Sequence, residues 1–421
     1  MRISIIGLGY VGLPLASLLA SKHDVVGFDA DHEKISRLKN NEIPINEPNL
    51  VDHFLAARKS GKLVITDNAK LMVECDVKII TVGTPYDPET DFVDYSQING
   101  ALDVIVPNLK KDDVLILKST VPPGTTMGIV KSRIENAGFY VPKEVGLVFS
   151  PERMIEGQAI HDFQTLPKII GASDERSAKI AGDIMNVLGG RLIFVSTPTT
   201  AETIKMVDNY SRFVFLGLTN ELALSCEKIG VDVLEVIRAA KLDYPRNAGI
   251  LFPGPGVGGS CLNKDPFILR GVLKRSGLDL RMIKAAEEVN YSMPDHVVDM
   301  ISHFRSAGKV TIFGVAFKGD TDDTRYSPSL KVRTELIMKG YSVSLTDPYV
   351  RGEGILEDMY GASKGSNTIL IMTDHSNYKG LDLRQLKRQV KDNPLLIDTR
   401  GLIDRKQAEE AGFEYHGLGR L

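Results

Sequence analysis

The sequence predicts an α/β protein with two doubly wound parallel sheets, joined by a long central helix and an all-helical middle domain. Three observations carry this. Short β-branched apolar runs alternate with helical patterns near both ends of the chain, as a parallel sheet with helical crossovers requires. A glycine turn follows the first such run in each half, at 7–12 and again at 314–319. Between the halves, from about residue 200, apolar residues recur at helical spacing. At 421 residues the chain is too long for a single core. The expected domains are 1–196, 197–300 and 301–421.

Residues 2–6 read as a strand, GLGYVG fills 7–12, an apolar helix pattern runs to Ala20, and a second strand at 24–29 ends in Asp29. This order is the dinucleotide-binding fingerprint of a Rossmann-like domain. Gly7 permits the turn, Gly9 lets backbone approach a pyrophosphate, and Gly12 lets the helix pack close to the strand. The helix N-terminus offers amides and partial positive charge to phosphates. Asp29 accepts from a ribose 2′-hydroxyl and repels a 2′-phosphate, so NAD is favoured over NADP. A glycine turn with no ligand is the alternative, and the flanking strands and the acid argue against it.

Strands at 76–83 and 113–120 lead into Thr84-Pro85 and into Thr120 followed by Val121-Pro122. Ligands lie off the carboxyl ends of strands in an open parallel sheet. Thr84 and Thr120 therefore point toward the cofactor, although a hydroxyl before a proline is also an ordinary turn former. A strand at 145–150 ends in Glu152, Arg153 and Glu156. These belong either to the ligand edge or to a solvated loop.

A helix is expected from 200 to 229, continuing to 240 after a break at Gly230. Lys205 and Asn209 lie one turn apart on one face. They are either surface decoration or donors for an oxyanion. So long a helix between two sheet domains suits a hinge and a dimer surface. The glycine-rich stretch 254–267 then presents Cys261 beside Lys264 and Asp265. A neighbouring ammonium favours the nucleophilic thiolate, and a carboxylate can relay a proton. A tight loop around a small buried Cys is the plainer reading.

After a helical region at 280–291, strands at 309–313, 342–347, 368–373 and 395–400 repeat the first plan. Ala316 takes the middle glycine place, so approach to a pyrophosphate is poorer there. Lys318, Arg325 and Arg400 fall at strand ends or loops, as surface charges or as a diphosphate site.

Composition narrows the class. Hydrophobic content of 43% and charged content of 25% are those of a soluble globular protein. A net charge of −3 leaves no footprint for nucleic acid or an anionic membrane. Cys75, Cys226 and Cys261 show neither metal spacing nor a disulfide framework, so no metal is expected and a reducing cytoplasm suits them. The N-terminus reads as a strand rather than a signal peptide. No apolar run approaches the roughly 18 residues of a spanning helix.

GLGYVG at 7–12, Lys118-Ser119-Thr120-Val121-Pro122, Ser150-Pro151-Glu152, Lys205 with Asn209, GGSCxxKD at 258–265 and Phe317-Lys318 occur in this order. Together they resemble the UDP-sugar 6-dehydrogenases, over nearly the whole chain. The resemblance implies oxidation of a UDP-hexose at C6, from alcohol to carboxylate, with two NAD. It makes Cys261 the nucleophile that forms a thiohemiacetal and then a thioester. Lys205 and Asn209 would stabilise oxyanions, and Asp265 and Thr120 would position or activate water, with Glu152 assisting. Tyr10, Val11, Lys34, Lys264 and Arg325 would neighbour the cofactor. Arg246 would reach the substrate of the neighbouring subunit in a homodimer or larger assembly. Arg153, Glu156, Gly258, Lys318 and Arg400 would contact substrate.

Arg153 after Glu152, and Asp265-Pro266-Phe267, resemble the N-acetylhexosamine branch, whereas Ser260 with Lys264 departs from it. UDP-N-acetyl-D-mannosamine is the expected substrate, with UDP-N-acetylglucosamine and UDP-glucose behind it. Two other classes compete. A non-catalytic NAD-sensing module has no need of Cys261, and a 3-hydroxyacid dehydrogenase needs neither that thiol nor a third domain.

Overall fold

The computed structural model describes residues 1–420. They divide into two compact units, Met1–Asp208 with Phe267–Leu278, and Asn209–Pro266 with the described residues from Asp279 onward.

The first unit is built on β1 (Arg2–Ile6), β2 (Asp24–Phe28), β3 (Leu63–Thr66), β4 (Val77–Ile80), β7 (Val114–Leu117), β8 (Gly146–Phe149), β9 (Lys168–Ala172) and β10 (Leu192–Val195). A small hairpin, β5 (Tyr86–Asp87) and β6 (Phe92–Val93), stands apart. The sheet order is β10-β9-β8-β7-β4-β1-β2-β3. Strands β1 to β8 of this sheet pair in parallel, and β9 pairs antiparallel to β8. The central strands are buried on both faces, which is why they read as unbroken Val/Ile/Leu runs. Alternation still sorts their side chains. Ile3, Ile5, Ile79, Val114 and Ile116 enter one core, while Ile6, Ile80, Leu115 and Leu117 enter the other. The strand order reverses between β1 and β4, which is where a crevice opens in such sheets.

The second unit carries β11 (Lys309–Phe313), β12 (Ser342–Thr346), β13 (Ile355–Leu356), β14 (Thr368–Ile371), β15 (Leu395–Asp398) and β16 (Glu414–Gly417). All pair in parallel, in the order β13-β12-β11-β14-β15-β16. Both sheets therefore wind outward from their first strand in the same way.

The central helix runs Pro198–Ile229 and is followed by Val233–Lys241, capped by the Asp232 side chain. The helix expected at 280–291 continues through Pro294 and spans Arg281–Phe304. An internal proline costs about 3 kcal/mol. Val297, Val298 and Ile301 are buried in the core of the second sheet, and at about 1.5–3 kcal/mol each they outweigh that cost. On the central helix Met206 and Phe213 are buried, but Phe215, Leu218, Leu222 and Ile229 are exposed. Among the described residues no helix is long and apolar enough to cross a membrane.

Candidate active site

In the first unit a groove of about 640 Å³ opens beside the glycine turn, lined in part by Gly7, Gly9, Asp29 and Lys34. The turn is tight because a Cβ on Gly12 would overlap the Gly7 carbonyl and lie 2.6 Å from Thr81 Oγ1. The helix Gly12–Leu19 begins with no side chain capping it, which suits an anion at its N-terminus. Asp29 Oδ2 accepts from the Leu8 amide and from Lys34 Nζ, both at 2.8 Å. Asp29 Oδ1 accepts from the Asp31 amide at 3.0 Å. Asp31 in turn caps the helix His32–Lys39 through the Lys34 amide, an N-cap that sets Lys34 beside Asp29. Lys34 and Asp29 thus stand together at the groove. Met72, Gln97, Ala101 and Val104 also line it. Sequence patterns did not reach these four, because they come from helices whose spacing shows only a core stripe. The groove fits a dinucleotide: a glycine turn, uncapped amides and an acid at the second strand end.

Thr84 and Thr120 do not line this groove; Thr84 Oγ1 donates to the Thr120 carbonyl at 2.7 Å. The loop after β8 is organised by carboxylates. Glu152 Oε1 accepts from the amides of Arg153 and Met154 at 2.8 and 2.9 Å. Its Oε2 lies 3.3 Å from Lys118 Nζ, which is almost fully buried. Asp162 receives the Ile155 amide, and Glu47 receives those of Gly157 and Ala159. Arg153 Nε meets Asp208 at 2.8 Å. The buried Glu202 accepts from Gly124 and Thr126. Burial pushes the Glu202 pKa up, against the pull of those hydrogen bonds. Glu47, Lys118, Asp208 and Glu202 were not read from the sequence as site residues. Lys118 sat in a recognised motif, while the others carried no local signal.

In the second unit Cys261 is exposed and forms no disulfide, whereas Cys75 and Cys226 are buried. Asp265 follows on the same turn, its amide donating to the Cys261 carbonyl at 2.9 Å. Asp265 is buried and accepts from Asn209 Nδ2 at 2.6 Å. The loop before the thiol is tied by Asn263, whose Nδ2 donates to the carbonyls of Val257 and Gly259. Tyr291 donates to Asn263 Oδ1 at 2.9 Å. Arg400 packs against Gly254 and donates to Asp374 Oδ1 at 2.8 Å. Arg325 is held by Asp323, and Lys318 is half-buried beside them in sequence. Arg246 stands exposed on the short turn Pro245–Asn247, over the Tyr244 ring.

Asp347, at the end of β12, is the counterpart of Asp29 in the second sheet. It is fully buried and accepts from Val315, Ala316, Tyr349, Val350 and His375. Burial raises its pKa, but the His375 bond and the amides outweigh that and hold it far below the usual range. Fully buried and with its oxygens committed, this acid does not line a groove as Asp29 does. The two sheets share a winding, not a ligand site.

The sequence profiles of the UDP-glucose/GDP-mannose dehydrogenase family match the chain three times. The NAD binding domain covers residues 1–188, the central domain 199–292 and the UDP binding domain 311–405. A UDP-N-acetyl-D-mannosamine dehydrogenase of Methanocaldococcus jannaschii is 36% identical over 99% of this chain and 96% of its own length. A UDP-glucose 6-dehydrogenase of Rhizobium meliloti is 33% identical over 100% of both chains. A UDP-D-ManNAc dehydrogenase structure from Pyrococcus horikoshii superposes with a TM-score of 0.91 at 32% identity, covering 100% of this chain and 99% of that one. A fingerprint groove, a second sheet of the same winding and full-length similarity converge: the chain belongs to the UDP-glucose/GDP-mannose dehydrogenase family, and is an NAD-dependent nucleotide-sugar dehydrogenase.

Proposed function

We propose that the chain oxidises UDP-N-acetyl-D-mannosamine at C6 to UDP-N-acetyl-D-mannosaminuronate, with Cys261 as the nucleophile. The observation that carries this is the exposed Cys261 one turn from a buried Asp265, itself tied to Asn209. Similarity to the Methanocaldococcus jannaschii and Pyrococcus horikoshii enzymes supports the mannosamine sugar. Arg153 beside Glu152 supports it as well.

Bound NAD would supply the hydride acceptor for each of two oxidations at C6. The Cys261 thiolate adds to the aldehyde carbon, giving a thiohemiacetal whose C–H bond can again lose hydride. The resulting thioester is cleaved by water, returning the thiolate and the carboxylate. Lys205 and Asn209 donate to the oxygen that gains charge in each addition. Asn209 spends one amide N–H on Asp265 and carries a second for this purpose. Asp265 and Thr120 position the water, with Glu152 assisting. Gly7, Gly9, Tyr10, Val11, Gly12, Asp29 and Lys34 hold the cofactor, with Thr84, Thr120, Lys264 and Arg325 near it but outside the groove. Arg153, Glu156, Gly258, Lys318 and Arg400 hold the UDP-sugar.

The exposed Phe215, Leu218, Leu222 and Ile229 recur at 3, 4 and 7 residues on one helical face, which supports a homodimer. Arg246 would then serve the partner's site. Three unbridged thiols suit a cytoplasmic enzyme.

The test is NADH formation from each UDP-sugar, with the uronate quantified. Two NADH per UDP-N-acetylmannosamine are expected, and no uronate from Cys261→Ser. A preference for UDP-glucose or UDP-N-acetylglucosamine would replace the sugar. Wild-type uronate yields from the Ser variant would remove the covalent scheme.

A further inference from the structure

Phe317 is the first residue of the second sheet's glycine turn that is not closed into the core, and it is half-buried. It packs on the two glycines that precede the thiol. A Cβ on Gly258 would overlap the Phe317 Cβ and lie 3.1 Å from both Pro328 Cδ and the Tyr326 carbonyl oxygen. A Cβ on Gly259 would lie 2.7 Å from the Phe317 ring. The contact is fastened on both sides. The Gly259 amide donates to the Arg325 carbonyl at 2.9 Å, and the Phe317 amide donates to the Asp323 carbonyl at 3.0 Å. The segment that carries Cys261 is thus bonded to the same turn and loop that carry Lys318 and Arg325. Glycine at 258 and 259 is required by the close approach of Phe317, not only by flexibility.

We propose that Phe317 is a positioning residue that couples occupancy of the nucleotide site to the placement of Cys261. The inference rests on the reading that Lys318 contacts the UDP moiety. Lys318 and Phe317 are adjacent, so whatever fixes the Lys318 backbone also fixes the aromatic face against Gly258 and Gly259. Only two residues separate Gly258 from the thiol, so little slack remains to absorb a shift. Binding energy from the non-reacting diphosphate end of the substrate would in this way be used at the reacting end. Loops in contact with a packed side chain move by discrete repacking, which makes such a coupling measurable as a ratio.

UDP without a hexose is the probe, and alkylation of Cys261 by iodoacetamide in the full chain is the readout. Cys75 and Cys226 are buried, and burial pushes the Cys75 thiol up to about 11. Mass mapping of the Cys261 peptide therefore follows one site. In the wild type, saturating UDP is expected to change the alkylation rate by about fivefold or more. In Phe317→Ala this response is expected to vanish while calorimetric UDP affinity stays near wild type. Its kcat with the UDP-sugar is expected to fall about 10- to 100-fold. Should that variant fail to fold, Gly258→Ala, which pushes the same contact apart from the other side, is expected to lose the response. UDP binding with no effect on wild-type alkylation would overturn the coupling while leaving the proposed oxidation intact, as would a full response in either variant. Failure of UDP to bind the wild type at all would remove the substrate reading and this inference with it.

Discussion

Asn209 is buried, and its amide is oriented by a carboxylate rather than by solvent. That arrangement makes the side chain a preorganised donor, so Asn209→Ala is expected to lower kcat about 10²- to 10³-fold. An unchanged steady-state kcat would exclude the oxyanion role. Lys168 tests a different kind of residue. It is buried at the start of β9, and burial pulls its pKa down to about 8, reinforced by Lys118 and opposed by Glu152. The unfolded chain keeps this proton to about pH 10.4, so between about 8 and 10 the unfolded state binds more protons and stability rises with pH. Lys168→Met is expected to lack that rise when urea midpoints are compared from pH 7 to 10. Parallel curves for variant and wild type would refute it. Glycines, Cys261, Lys205 and Asn209 were legible because their spacing is itself the signal. Glu47, Asp208 and Glu202 were not, because each acts on a backbone or side chain distant in sequence.

Among the elements, β1 and the helix after it meet at Gly12, where a methyl group has no room. Gly12→Ala is expected to separate helix from strand, costing about 1–3 kcal/mol and weakening NAD binding. Thermal melts with and without NAD check this, and a variant with wild-type melting and NAD affinity would refute it. The central strands were readable from apolar runs alone. Edge strands β3, β10 and β13 were not: β10 is only partly buried and β13 has just two residues. Little burial leaves little pattern. The helix Arg281–Phe304 outran its expected end because Pro294 reads locally as a stop, whereas buried Val297, Val298 and Ile301 hold it in place.

For the molecule as a whole, the apolar stripe of Phe215, Leu218, Leu222 and Ile229 is the feature a lone chain does not explain. On the proposed homodimer, Leu218→Asp with Leu222→Asp is expected to convert the dimer to monomers in sedimentation velocity, with activity falling because Arg246 would no longer reach a second site. A wild-type monomer, or a dimer indifferent to both substitutions, would refute the assignment of that face. The stripe was visible in the sequence only as part of a helix, since periodicity reports apolar residues without saying which of them another element covers.

The sequence by itself determined the fold class, the cofactor fingerprint, the thiol loop and the family, because each is written in local spacing or in short motifs whose glycines and charges have few uses. Tertiary structure decided how each group is employed. It committed Asp347 to backbone amides while leaving Asp29 at the groove, tied Asn209 to Asp265, and set Phe317 against Gly258 and Gly259. Those outcomes depend on which surfaces and hydrogen-bonding groups meet across long stretches of chain, and no local pattern encodes such meetings.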